Sequence, residues 1–207
     1  MAEIRYTTLS REASAEIEEK HSRFIGYATP ARTEEEALSF VARIRQKHRD
    51  ATHNVFGYSI KHGIYARFSD DGEPQGTAGM PVLDVIRKSG VDDACVVVTR
   101  YFGGILLGAG GLVRAYSAAA GAALDAAGIV TYEPYTQIAV TCSYADYQRL
   151  SAELPHYGAI IDKTDYTENV TLHFAVKSSL ADDVLSRIRE MSAGRLSPQV
   201  TGERFDR

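Results

Sequence analysis

The 207-residue chain carries 23 Lys/Arg against 27 Asp/Glu, a net charge of −4, with an apolar fraction of 44 %, the composition of a globular protein long enough for one large core or two small ones. Splitting it at Pro134 leaves 15 Lys/Arg against 17 Asp/Glu before and 8 against 10 after, so neither half has the clustered positive excess of a strong nucleic-acid binder. No apolar run approaches the roughly 20 residues that span a bilayer, which argues against membrane insertion.

In chain order, the start Met1-Ala2-Glu3-Ile4-Arg5-Tyr6 lacks the basic-then-apolar pattern of a signal peptide. Ser22–Tyr27 reads as extended, and Pro30 marks a break. Thr33 and Glu36 have the spacing of a capping box, in which hydroxyl and carboxylate satisfy each other's orphan N–H groups. Ala37, Phe40, Val41 and Ile44 then recur at helical spacing. Val55–Ile60 and Ile64–Phe68 flank Lys61-His62-Gly63 as a β-hairpin. Ser69–Gly79, with three glycines and a proline, is a long loop of the kind that carries function more often than not. Pro81 suits the first turn of a short helix through Val82, Leu83, Val85 and Ile86. Ala94–Thr99 is a β-branched run expected to be a central strand buried on both faces. It feeds the second glycine-rich loop, Phe102–Gly111, and a helix from about Leu112 to Ala127 whose alanines predict close packing on the sheet, with Gly128 as C-cap.

Glu133-Pro134-Tyr135 reads as a linker, which divides the chain into residues 1–134 and 135–207. Beyond it, Ile138, Val140 and Cys142 alternate as a strand, and Ser143 with Asp146 opens a helix through Leu150 and Leu154. Ala159–Tyr166 and Val170–Val176 are two further strands. Ser179 with Asp182 and Asp183 opens a helix carrying Val184, Ile188 and Met191, and Arg195–Val200 is a last strand with Pro198 favouring an edge. The order βαββαβ is that of a ferredoxin-like sandwich, and the whole is an α+β protein. Cys95 and Cys142 lie in apolar strand-like runs with neither disulfide nor zinc spacing, so packing is their expected role and a reducing cytoplasm the expected setting.

Residues with chemical potential gather in the two glycine loops and near Asp50–Asn54. Phe102–Gly111 joins a buried strand to a helix, where free N-terminal amides and approachable glycines suit an anion. The known motifs fail, however. Gly103 and Gly108 have P-loop spacing, but Ala109-Gly110 replace its Lys and Ser/Thr; Gly108 and Gly110 begin a dinucleotide pattern that Val113 breaks. The alternative is a tight turn whose glycines admit a crowded helix. Asp70, Asp71 and Glu73 could hold a hard cation, although the preferred reading pairs Asp70 or Asp71 with Arg100 or Arg114 and expects no metal. His53 could serve as a general base, but no nucleophile motif accompanies it, and a binding or structural histidine is expected. The basic run Arg43–Arg49 could touch RNA phosphates, yet a helix C-terminus favours cations by itself.

Asp50-Ala51-Thr52-His53-Asn54, the loop Ser69–Gly79, and Val98–Gly104 continued by Gly108–Tyr116 together resemble the IMPACT/YigZ family, as does Ser22-Arg23-Phe24-Ile25. The resemblance spans about residues 15–130, and the remainder resembles the small C-terminal domain of bacterial members. It implies a first domain with a ribosomal-protein-type fold like domain four of elongation factor G, followed by the ferredoxin-like one. Eukaryotic relatives regulate translation by binding a protein activator of a starvation-sensing kinase; they carry a different N-terminal recognition domain, no counterpart of which is expected here, so that kinase-pathway role is not carried over. The expectation is therefore a translation-associated binding protein that contacts the ribosome, RNA or a translation factor, with no cofactor and no DNA specificity. Its candidate surface is His53, Asn54, Asp70, Asp71, Glu73, Arg100, Gly103, Gly104, Gly108, Gly110, Gly111 and Arg114. A phosphate- or nucleotide-handling enzyme and a protein-interaction module are the alternatives.

Overall fold

The structure, a computed structural model, describes residues 5–207. The chain divides into two compact units, one comprising Tyr6–Thr131 and the other Tyr132–Arg207 with Arg5. Both are α+β and are built on antiparallel strands.

The first unit runs β1 (Tyr6–Leu9), β2 (Ala13–Glu19), β3 (Ser22–Pro30), α1 (Glu34–Lys47), β4 (His53–Ile60), β5 (Tyr65–Ser69), α2 (Gly79–Lys88), β6 (Ala94–Tyr101) and α3 (Gly108–Ala127). Its sheet has the order β2-β3-β6-β4-β5. β6 is central and buried on both faces for a sequence reason: alternate side chains go to different cores. Val96 and Val98 pack with α2 and α3, while Cys95 and Val97 pack under Phe40, Val41 and Ile44 of α1. The alanines of α3 have the expected consequence. At Gly26 on β3 an added Cβ would lie 2.3 Å from the Ala119 carbonyl oxygen, so strand and helix approach more closely than any side chain there would allow.

Three local differences from the sequence expectations have physical causes. Thr33 Oγ1 does accept from the Glu36 N–H at 3.2 Å, but the Glu36 carboxylate bonds the Arg32 N–H at 2.7 Å, closing the box one residue early. α3 begins at Gly108 rather than near Leu112, so the last glycines of the loop are its first turn. β2 carries no strong apolar run; it is held by a seven-residue ladder to β3 that only tertiary pairing reveals.

The second unit is formed by β7 (Ile129–Cys142), α4 (Tyr144–Glu153), β8 (Ile160–Tyr166), β9 (Val170–Lys177), α5 (Ala181–Met191) and β10 (Gln199–Asp206). These four strands lie in the order β10-β7-β9-β8, all antiparallel, the arrangement of a βαββαβ sandwich. Val140, Leu172 and Phe174 meet Leu150, Val184 and Ile188 in its core. The expected linker Glu133-Pro134-Tyr135 is instead strand: it pairs with Asp206, Phe205 and Arg204 of β10. Pro134 is tolerated there because the ladder to β9 begins only at Tyr135. α5 starts at Ala181 without a side-chain cap, after a 3-10 turn at Ser178–Leu180, so Ser179 does not open it. The last strand starts beyond Pro198, which cannot donate to a ladder, and runs to Asp206. Among the described residues no helix is long and apolar enough to cross a membrane.

Candidate functional site

Antiparallel register places Phe24, Arg100 and His53 in one row across β3, β6 and β4. Tyr116 of α3 packs its ring edge on Phe24, with centroids 5.2 Å apart, and the Arg100 guanidinium lies 5.3 Å from the same ring. The loop after β5 brings Glu73 into this row. Its Oε1 accepts from Arg100 Nη1 at 2.6 Å and from the Tyr116 hydroxyl at 2.8 Å. Glu73 and Arg100 are only 8 % and 5 % exposed, which makes this a buried ion pair, with Oε1 held by two donors, rather than a surface contact. Burial, reinforced by the Glu73 charge, pushes the Tyr116 hydroxyl well above the usual tyrosine range, so it stays a donor.

The other two loop carboxylates brace the same structure from outside. Asp70 accepts from the backbone N–H groups of Gly76, Ala78 and Gly79, capping the start of α2. Asp71 accepts from Arg45 at 2.8 Å and from the Asn54 N–H at 2.6 Å, while its own carbonyl accepts from His53 Nδ1 at 2.8 Å. Asp71 adopts a left-handed φ of 46°. Asn54 bridges Thr99 and the His48 carbonyl, so β4, β6 and the end of α1 are tied in one network. The acidic loop is thus fixed to β6 by an ion pair, as expected in kind, but the carboxylate is Glu73. Asp71 reaches Arg45, because three residues in a turn point three ways. Arg114 has neither Asp70 nor Asp71 as a partner; it lines a separate, smaller cleft with Ile17, Glu19 and Gly111.

Between these groups and the second glycine loop lies a cleft of 420 Å³, lined by Thr52, His53, Glu73, Pro74, Arg100, Phe102, Leu106, Leu107, Gly108, Ala109 and Leu112. Its walls are largely apolar, and its floor is the ion pair. Gly103 shapes the rim: its N–H donates to Ser22 Oγ at 3.2 Å, and a Cβ there would sit 2.0 Å from the His21 carbonyl carbon. Gly104 follows with a φ of +85°. The loop then exposes Phe102, Ile105 and Leu106, the last 83 % exposed. His53, Glu73, Arg100 and Gly108 therefore meet in the cleft, Asn54, Asp70 and Asp71 support it, and Gly110 and Gly111 lie in the first turn of α3.

Sequence reasoning missed Ser22, Thr52 and above all Tyr116, a lone large ring in an alanine-rich helix whose very isolation was a signal. It also missed a relay on the opposite face. Lys47 Nζ donates to the Tyr27 hydroxyl, Tyr27 contacts His48 Nε2 at 2.7 Å, His48 Nδ1 contacts the Tyr101 hydroxyl at 2.9 Å, and Tyr101 donates to Asp50. A neutral His48 protonated at Nδ1 satisfies every step, with Tyr27 donating to Nε2 and Tyr101, which gives its proton to Asp50, accepting from Nδ1. Burial, followed by the Lys47 charge, accordingly lowers the His48 pKa.

Comparison with known proteins agrees with this architecture. The Impact N-terminal domain family matches residues 20–124, and a domain of unknown function, DUF1949, matches residues 140–195. IMPACT family member YvyE of Bacillus subtilis is 35 % identical over 191 residues, covering 92 % of this chain and 88 % of that protein. IMPACT family member YigZ of Escherichia coli is also 35 % identical, over 86 % of this chain and 88 % of its own. Protein IMPACT of Mus musculus is 33 % identical over 98 residues, which cover 44 % of this chain and 30 % of the mouse protein. A solved structure titled as a hypothetical protein aligns over 98 % of this chain and 99 % of its own, with a TM-score of 0.59 and 32 % identity.

Proposed function

The chain belongs to the IMPACT family, and from that premise we propose that it is a translation-associated binding protein that meets its partner through the cleft of the first unit. The observation that carries this reading is the apolar rim, Phe102, Ile105 and Leu106, standing exposed over a floor whose charges are already paired. Exposed large apolar side chains grouped beside a concave surface suit a partner's contact. A general base or nucleophile needs a group free to exchange protons or electrons. Here Asp70, Asp71 and Glu73 are each held by two or more donors, which favours recognition over catalysis. The translation context comes from the resemblance to the IMPACT family, whose eukaryotic members regulate translation; the mouse relative matches 98 residues, 44 % of this chain.

Sedimentation of the full chain with ribosomes at low and moderate salt tests the proposal. The expected result is co-migration with a ribosomal fraction that survives moderate salt, or capture of a translation factor when ribosomes are removed. Absence from every ribosomal fraction, together with no captured factor, would overturn it.

A further inference from the structure

We propose that the cleft of the first unit seats a tyrosine side chain of a protein partner, its ring against the apolar wall and its hydroxyl donating to His53 Nε2. The proposal rests on the binding reading above and names the anchor that the partner brings. His53 Nδ1 lies 2.8 Å from the Asp71 carbonyl oxygen. A carbonyl only accepts, so Nδ1 carries the proton and Nε2 of the neutral ring is left as a lone pair. That tautomer is built in. Asp71 holds a left-handed φ of 46°, and its carboxylate takes the Asn54 N–H and Arg45, so the direction of its carbonyl is fixed. Nε2 has no hydrogen-bond partner among the described residues; Glu73 Oε1 lies 3.8 Å away and is itself an acceptor.

A second group on the floor has the same sense. Glu73 is more than nine-tenths buried and lines the cleft, and its two donors, Arg100 and Tyr116, both fall on Oε1. Oε2 has no donor among the described residues, and it is not one of the atoms sealed from solvent without a partner, so it stays reachable. Arg100 offers nothing in return. Its Nη1 and Nη2 go to Glu73 and Ser22, and its Nε is sealed off. The floor is thus a pair of acceptors.

The charge of the ligand is bracketed from both sides. An anion would face two lone-pair acceptors. A cation would face the buried Arg100 charge and the positive end of the α3 dipole at Gly108. A neutral donor suits the floor, and the walls decide what carries it. Phe102, Leu106, Leu107 and Leu112 line the cleft, and an aromatic ring buries a large apolar area against such groups. Tyrosine carries its donor at the far tip of the ring, which matches the order from apolar rim to accepting floor. The surrounding charge favours a protein over RNA as its bearer. Arg45 and Arg100 are spent on Asp71 and Glu73, and the chain is acidic overall, which leaves little to neutralise phosphates. Tyrosine is also among the side chains that dominate protein–protein contacts.

The test is an NMR titration of the methyl-labelled full chain with N-acetyl-tyrosinamide and, separately, N-acetyl-phenylalaninamide, at about pH 8, where a histidine ring is ordinarily neutral. The expected result is a saturable shift of the Leu107 and Leu112 methyl signals with both, and about fivefold tighter binding of the tyrosine compound, the worth of one hydrogen bond. His53→Asn keeps a donor for the Asp71 carbonyl and removes Nε2, so the preference should disappear while binding of the phenylalanine compound is unchanged. If that variant does not fold, the preference in the wild type still decides. Unmoved methyls, equal affinities, a preference kept in folded His53→Asn, or tighter binding of N-acetyl-tryptophanamide would each overturn the proposal. So would a short single-stranded RNA that moves the same signals at lower concentration. A tyrosine preference with neither ribosome association nor a captured factor would refute the translation reading alone. Ribosome association without the preference would refute this one alone.

Discussion

Glu73 concentrates the site's stability on one oxygen, which holds both Arg100 and Tyr116. Removing it strands a buried guanidinium, so Glu73→Ala is expected to lower the unfolding free energy by about 3–5 kcal/mol in urea titration. Tyr116→Phe deletes one donor and leaves Arg100 in place, so the expected loss is about 1 kcal/mol. Equal losses would mean that the two bonds do not share a buried acceptor in the way described. His48 sets a pH dependence whose sign is fixed by its environment. Its folded pKa is lowered by burial and by Lys47, with Arg23 adding to the effect and Asp50 opposing it. Its contribution is therefore fully present above the unfolded histidine value, about 6.5, and drains away as the pH falls through the lower folded value. His48→Gln should flatten the acid limb of a stability–pH curve; an unchanged limb would contradict the relay from Lys47 to Asp50.

At the scale of elements, two glycines separate close packing from backbone conformation. Gly26→Ala pushes a Cβ into the Ala119 carbonyl, and only displacement of α3 relieves it, so a loss of about 3 kcal/mol is expected. Gly104→Ala meets open space but must hold a φ of +85°, which costs about 1–2 kcal/mol. Urea midpoints in the reverse order would show that strand–helix contact is looser than described. The same distinction explains what was legible in the sequence. α1, the hairpin of β4 and β5, the buried strand β6 and the βαββαβ order were readable because local periodicity and turn residues dictate them. β2 was not, because its ladder to β3 is a tertiary fact, and neither was the strand through Pro134, where a usually disruptive residue sits beyond the β9 ladder. The candidate site was legible as a neighbourhood: His53, Glu73, Arg100 and Gly108 do converge. Which carboxylate takes which arginine was not, since pairing in a tight turn depends on the direction each residue faces.

For the whole molecule, charge and surface set what kind of association to expect. Both halves of the chain are mildly acidic, and the basic run on α1 is largely spent on Glu12, Asp71 and Tyr27. Association led by the apolar rim, with at most one phosphate contact, should show a slope of log affinity against log salt no steeper than about −1. A slope several times larger would mean that an extended phosphate backbone, and not the rim, dominates. The central claim is that the first unit works by presenting the rim over its cleft, and Leu106→Asp tests it most directly: the side chain is exposed, so folding should be untouched while the contact surface gains a charge. Quantitative co-sedimentation of wild type and Leu106→Asp with ribosomes, at matched Tm, is the measurement. The account predicts association for the wild type and its loss for the variant; a variant that sediments as the wild type does would contradict it.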